Sequence, residues 1–201
     1  MYSEQKLKPL KFHMNPIKLY HGSPYPNITK FQIIESLSRS RTDYGLGVYF
    51  TTNREQAKKW SVRGAGVNHG YVYETQLDYR IIQSGKYKLK EFLEYNDEFL
   101  DTFTYCRSRG ENSANIVGYD MIYGLMIDSK KEIINSTCDD YAVGKINRID
   151  VKRKLKTLDM SDQICIKNSE LLNQLKITGV DQTFIYPGRS KYEERNILWK
   201  K

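Results

Sequence analysis

The sequence predicts an α+β fold on three observations: extended, alternating segments lie toward both ends, helical spacing occupies the middle, and no repeat, low-complexity tract or Gly/Ser linker divides the chain. At 201 residues the chain is long enough for one domain that buries roughly 70% of its unfolded surface. Residues 1–201 are therefore read as one unit, with an N-terminal extension over 1–16 and a helical insertion over about 86–115.

Residues 17–21, I-K-L-Y-H, alternate as a strand and stop at the turn signal Gly22-Ser23-Pro24. Residues 28–39 read as a loop or short helix. The glycines of G-L-G-V-Y-F-T-T permit a tight turn into a second strand, Val48 to Thr51. Thr52 followed by Glu55 forms a capping-box pattern, which predicts a helix from Asn53 through R-E-Q-A-K-K-W. Gly64 and Gly66 end it, and residues 71–78 alternate as a third strand.

From Leu89 to Phe103, Leu89, Phe92, Leu93, Phe99, Leu100 and Phe103 follow helical spacing and predict one long amphipathic helix. Residues 116–127 read as a buried strand. Weaker helices are expected near 131–143 and 168–176, and Thr183 to Tyr186 reads as a last strand before Pro187-Gly188.

Composition excludes several classes. Hydrophobic residues make up 39%, charged residues 28%, and there are five prolines, as in an ordinary globular chain. No apolar run reaches the roughly 18 residues of a membrane span, and the start M-Y-S-E-Q-K-L-K-P-L-K lacks the apolar core of a signal peptide. A cytoplasmic location is expected. Cys106, Cys138 and Cys165 are scattered without C-x-x-C spacing and suggest neither disulfides nor zinc, and with a cytoplasmic location no glycan is expected at the N-x-S/T matches Asn27 and Asn135.

Two features stand out. The 32 basic against 24 acidic residues give +8, and 16 tyrosines exceed the seven phenylalanines and two tryptophans. Such a chain suits a phosphate-bearing partner. Its most basic stretch, K-I-N-R-I-D-V-K-R-K-L-K from Lys145 to Lys156, reads as a solvated face or as a landing surface for nucleic acid.

The common catalytic motifs are absent: no P-loop, no dinucleotide glycine fingerprint, no G-x-S-x-G and no H-E-x-x-H. The histidines His13, His21 and His69 are too dispersed to suggest a metal. What remains is L-Y-H-G-S at 19–23 and D-Y-G-L-G-V-Y-F-T-T at 43–52, a strand-terminal His and a strand-borne Tyr.

This pair resembles the first two motifs of the ADP-ribosyltransferase superfamily, in its His-Tyr-Glu branch, and is similar to a bacterial group with L-Y-H-G-S, then G-x-G-x-Y-x-T, then a helix ending A-x-x-W. Gly118 to Gly124 and Asp181 to Phe184 look like that group's later blocks. The resemblance implies a split, mixed β-sheet core with helical insertions. It also implies transfer of ADP-ribose from NAD, a co-substrate, to a macromolecular acceptor, nucleic acid or protein, with no metal. Chains of this kind look like toxins of toxin–antitoxin or phage-defence systems, which implies an antitoxin protein partner.

Carried over by motif, His21 would bond a ribose hydroxyl of the adenosine half, Gly22 would grip the nicotinamide carboxamide with its backbone, and Ser23 would touch the ribose. Tyr49 would stack on the nicotinamide. Trp60, eleven residues later, would be the second aromatic. Gly47 and Phe50 flank Tyr49 in the same binding set, and Arg41 could reach a pyrophosphate. Ala57 stands where polymerase-type members carry a serine. The third motif departs from the family: the matching block offers Gln182, which bonds a hydroxyl but carries no charge, with Glu74, Glu193 or Glu194 as other candidates. Tyr20 and Tyr44 are read as packing residues.

Two other readings compete. An RNA 2′-phosphotransferase would also consume NAD but needs further His and Arg residues that do not appear. A weak NAD- or ADP-ribose-binding module, or a basic RNA-binding partner, would explain the missing glutamate.

Overall fold

Two four-stranded sheets that part from one junction organise the protein, as seen in a computed structural model that describes residues 6–34, 41–62, 69–110, 112–127, 129–155, 157–184 and 198–200. The strands are β1 (Ile17–Ser23), β2 (Val48–Phe50), β3 (His69–Leu77), β4 (Leu89–Phe92), β5 (Met121–Ile127), β6 (Thr157–Ile166), β7 (Lys176–Phe184) and β8 (Leu198–Lys200). The helices are α1 (Arg54–Ser61), α2 (Arg80–Gln83), α3 (Asp97–Arg109), α4 (Lys131–Ala142), α5 (Arg148–Lys154) and α6 (Ser169–Leu172). The class is α+β.

One sheet runs β1-β3-β7-β8, with antiparallel neighbours, and the other runs β2-β6-β5-β4, in which only β4 and β5 are parallel. Among the described residues one two-bond backbone bridge joins them: Tyr20 N–H donates to Thr51 O at 2.8 Å, and Thr51 N–H to Tyr20 O at 3.0 Å. Beyond it β1 and β2 separate.

β5, M-I-Y-G-L-M-I, is buried at every position, as expected of a strand covered on both faces. Around it Phe50, Phe92, Phe99, Phe103, Ile164 and Tyr44 form the centre of a continuous core. Tyr44 packs as expected, its ring stacked on Phe92 with centroids 5.6 Å apart.

Several elements differ from the sequence reading. The expected long helix over Leu89 to Phe103 is broken: Leu89–Phe92 pairs in register with Met121–Gly124 as β4, and the helix starts only at Asp97, where Asn96 Oδ1 accepts from Phe99 N–H at 2.9 Å. The insertion over 86–115 is thus part strand. Burial of Phe92 within a sheet happened to match helical spacing. The strand expected over 116–127 starts at Met121, because Ala114–Ile116 is a 3₁₀ turn and Gly118 has φ +80°. The helix expected near 168–176 stops at Leu172, and β7 begins at Lys176. α5 and β6 have no counterpart in the sequence reading. The last strand reaches Phe184; residues 185 and 186 lie outside the described set.

α1 is capped by Asn53 rather than Thr52: Asn53 Oδ1 accepts from Glu55 N–H at 3.0 Å and Gln56 N–H at 3.2 Å. Thr52 is drawn instead to Asp162, its hydroxyl donating at 2.6 Å and its N–H at 2.8 Å. The N-terminal extension is tied to the second sheet. Leu7 N–H donates to Leu93 O, Leu10 N–H to Glu91 Oε1 at 2.7 Å, and the Leu10 side chain is fully buried.

Among the described residues no helix is long and apolar enough to cross a membrane. The three cysteines are buried free thiols.

Candidate functional site

The site follows from how β1 meets β2. Strand alternation puts Ile17, Leu19, His21 and Ser23 on one face of β1 and Lys18, Tyr20 and Gly22 on the other. The first face turns toward the core, so His21 is half-buried, its ring edge-on to Phe31 at 5.2 Å and tilted against Phe50 at 5.6 Å. Its Nδ1 lies 2.8 Å from the carbonyl oxygen of Tyr49. A carbonyl can only accept, so Nδ1 carries the proton and Nε2 presents a lone pair. Burial lowers the pKa of His21 from 6.5, and its bond to the Tyr49 carbonyl opposes that only in part. The imidazole is neutral at pH 7.

Gly22 faces α1. A Cβ there would stand inside contact distance of the Ala57 carbonyl oxygen and 2.7 Å from Ser61 N, so glycine is what lets α1 lie directly on β1. Because backbone groups alternate along a strand and Tyr20 spends its N–H and C=O on Thr51, the N–H and C=O of Gly22 point toward the same open edge. They find no partner among the described residues. One donor and one acceptor therefore lie on the edge of β1 where the sheets part.

Across the junction lie β2 and the turn before it. Tyr49 pairs with Cys165 in the β2–β6 register; its ring is half-buried and lies on the other face of β2 from Phe50. Its hydroxyl donates to Gly45 O at 2.8 Å and accepts from Tyr44 N–H at 2.9 Å. Burial raises its pKa far above 10.0. Tyr49 is a fixed neutral phenol. Gly47 allows the turn to close on β6, since a Cβ there would press on Cys165 Sγ and Ile166 O. Burial lifts the Cys165 thiol to about 11.

The structure thus brings His21, Gly22 and Tyr49 together at one junction, with Phe50 packed under the His21 ring. Trp60 is half-buried on α1, three residues beyond Ala57 and the crossing over Gly22. Ser23 is buried, and its hydroxyl accepts from Tyr25 N–H at 3.2 Å within its own turn. Arg41 is turned away to α3 and α4: its Nε donates to Arg107 O at 2.6 Å, and its guanidinium pairs with Asp139.

Gln182 pairs with Tyr71, which pairs with Ser23, so Gln182 shares the face of β1 that carries His21, two strands away. Its Nε2 donates to the Tyr71 hydroxyl at 3.4 Å. Glu74 lies opposite Tyr20, on the outer face, and pairs with Lys18 at 3.2 Å. Glu193 and Glu194 lie outside the described residues.

Sequence reasoning missed two buried carboxylates. Asp162 on β6 accepts from Thr51 Oγ1 at 2.8 Å as well as from Thr52, and so anchors the β1–β2 bridge and the start of α1. Asp43 pairs with Arg107 and accepts from Gln163 Nε2 at 2.6 Å. Both partnerships are long-range, and the only local signal was an acidic residue opening the glycine turn.

The basic stretch on α5 is largely neutralised within the fold. Arg148 reaches Asp97 at 3.0 Å and Asp101 at 2.8 Å, Lys152 reaches Asp97 at 2.8 Å, and Arg153 reaches Asp150 at 2.6 Å. Among the described residues no group of three His, Cys, Asp or Glu could hold a metal ion.

Fold and site together define an α+β protein of two sheets joined at the Tyr20–Thr51 bridge, with the strand edge at Gly22 left open where they part. Residues 17–177 match the model of a family described as a protein of unknown function (DUF3990), and with most of the chain covered the protein belongs to that family. No curated protein matches it.

Proposed function

We propose that the protein is an NAD-dependent ADP-ribosyltransferase whose co-substrate lies where β1 and β2 part. The observation that carries the reading is the junction itself: a neutral His21 whose Nε2 has no partner among the described residues, beside the open N–H and C=O of Gly22, bonded across to the strand of Tyr49. A carboxamide needs one donor and one acceptor in line, which a strand edge supplies; a ribose hydroxyl needs an acceptor, which Nε2 supplies.

In this reaction His21 Nε2 accepts from a ribose hydroxyl of the adenosine half, Gly22 holds the nicotinamide carboxamide, and Tyr49 and Trp60 wall the ring. The ribose–nicotinamide C–N bond breaks, its electron pair passes to the ring nitrogen, and neutral nicotinamide leaves. A nucleophile of the macromolecular acceptor bonds the anomeric carbon, and its proton passes to solvent. The chain contributes orientation and exclusion of water more than charge, since Gln182 on the His21 face is neutral. Arg41, held by Arg107 O and Asp139, and the buried Ser23 are given no step in this scheme.

Incubation with NAD labelled in the nicotinamide ring tests this. The enzyme releases nicotinamide, and His21→Ala and Tyr49→Ala abolish the release. The neutral Gln182 favours a second reading, a module that binds NAD without turning it over, and binding without release by the unaltered protein supports that one. No binding at all overturns both.

A further inference from the structure

The turn from Arg41 to Gly47 is fixed with unusual completeness for a loop. Thr42 Oγ1 donates to Gly45 O at 2.6 Å, Lys167 Nζ donates to Leu46 O at 2.9 Å, and the buried Tyr44 hydroxyl donates to Leu125 O at 3.0 Å. Asp43 is buried at 6% exposure, with its carboxylate held from two sides. Arg107 of α3 donates Nε to Oδ1 at 2.6 Å, and Gln163 of β6 donates Nε2 to Oδ2 at 2.6 Å while its amide also reaches Leu125 O at 3.1 Å.

The peptide that follows Asp43 is the one whose N–H, that of Tyr44, donates to the Tyr49 hydroxyl. That peptide is pinned on one side by the Asp43 carboxylate and on the other by the Tyr44 ring, stacked on Phe92. The Tyr49 hydroxyl also donates to Gly45 O and meets the Thr42 side chain, both in the same turn. Rotation of the 43–44 peptide would withdraw the Tyr44 N–H from the Tyr49 hydroxyl, leaving that hydroxyl without its donor and the half-buried ring less firmly held about its side-chain torsions.

We propose that Asp43 is a positioning residue for Tyr49: clamped between Arg107 and Gln163, it sets the turn from which the Tyr49 hydroxyl hangs and so fixes the Tyr49 ring at the junction of β1 and β2. Its importance for turnover rests on the transferase reading; its hold on Tyr49 does not.

The test uses the full chain labelled with 3-fluorotyrosine and followed by ¹⁹F NMR. The Tyr49 resonance is identified by its loss in Tyr49→Phe, and Tyr79, which precedes α2 beyond the end of β3 and whose N–H donates to Asn15 Oδ1, serves as a reference. In Asp43→Asn the Tyr49 resonance shifts and broadens while that of Tyr79 stays. In Arg107→Lys, which keeps the charge but loses the two-bond fork, the change is smaller and in the same direction. An unmoved Tyr49 resonance in folded Asp43→Asn overturns the proposal whatever the activity. Should Asp43→Asn not fold, Arg107→Lys decides by the same criterion.

With NAD, Asp43→Asn raises KM and lowers kcat, so that kcat/KM falls about tenfold to a hundredfold. Mere loss of folded protein lowers kcat in proportion and leaves KM unchanged, and that outcome contradicts a positioning role. A moved Tyr49 resonance in a protein that never turns over NAD sustains the positioning and defeats the transferase reading.

Discussion

The imidazole of His21 and the backbone of Tyr49, 28 residues apart, are joined by one hydrogen bond of 2.8 Å that crosses the gap between the two sheets. The rings of these residues lie on opposite faces of β2, so the link runs through the carbonyl and not through ring contact. A neutral imidazole suits this place, since protonation would put a charge among Phe31, Phe50 and Tyr73.

That arrangement makes stability depend on pH in a stated direction. Burial lowers the folded pKa of His21 below 6.5, so as pH falls below that value the unfolded chain binds a proton that the folded chain resists. The contribution of neutral His21 is fully present above pH 6.5 and is lost as pH falls toward the folded value. His21→Asn, which keeps a donor for the Tyr49 carbonyl but does not titrate, loses less of its melting temperature than the wild type between about pH 7 and about pH 5. Parallel curves from calorimetry would refute the burial of a neutral ring.

Gly22 and Gly179 occupy the same sheet in different surroundings. A Cβ at Gly22 collides with the α1 backbone, whereas one at Gly179 meets only Glu74 Cβ at 3.8 Å. Gly22→Ala costs about 3 kcal/mol in urea unfolding, and Gly179→Ala stays within about 0.5 kcal/mol of the wild type. Equal effects would show that α1 does not rest on β1 as described.

Asp162 holds Thr51 and Thr52 with three hydrogen bonds in a buried setting. Asp162→Ala strands these donors and costs about 3 kcal/mol, whereas Asp162→Asn keeps an acceptor and a group that can meet the Thr52 hydroxyl, and costs about half as much. Backbone amide exchange at Tyr20 and Thr51 rises in the alanine variant. Unchanged exchange there would detach Asp162 from the bridge between sheets.

A charge at position 182 is a gain-of-function test. Gln182 sits half-buried on the His21 face beside the Tyr71 hydroxyl, which can donate to a carboxylate as readily as it now accepts from an amide. Gln182→Glu increases nicotinamide release by about tenfold, about 1.4 kcal/mol of stabilisation for the positive charge that develops at the ribose. A folded Gln182→Glu protein without that increase would remove position 182 from the chemistry.

The order β1, β2, α1, β3 was legible because each element is short, local and marked by turn residues such as Gly22-Ser23-Pro24 and the G-L-G turn before Val48. The His21 to Tyr49 spacing was legible for the same reason. β6 was not: Ser161, Asp162 and Gln163 are buried polar residues in the middle of the strand, and they erase the apolar signal that would announce it. What they do depends on partners such as Thr51, 111 residues away from Asp162. The helix expected over Leu89 to Phe103 failed because Leu89 and Phe92 are spaced like one helical turn while serving a parallel pair with β5, a partner that local periodicity cannot reveal.

Binding of NAD where β1 and β2 part is tested most directly by a crystal structure of the protein with NAD bound. The account predicts the carboxamide within hydrogen-bond distance of Gly22 N and O, a ribose hydroxyl on His21 Nε2, and the nicotinamide centroid within about 6 Å of the Tyr49 ring. NAD bound elsewhere, with Gly22 and His21 untouched, would contradict it.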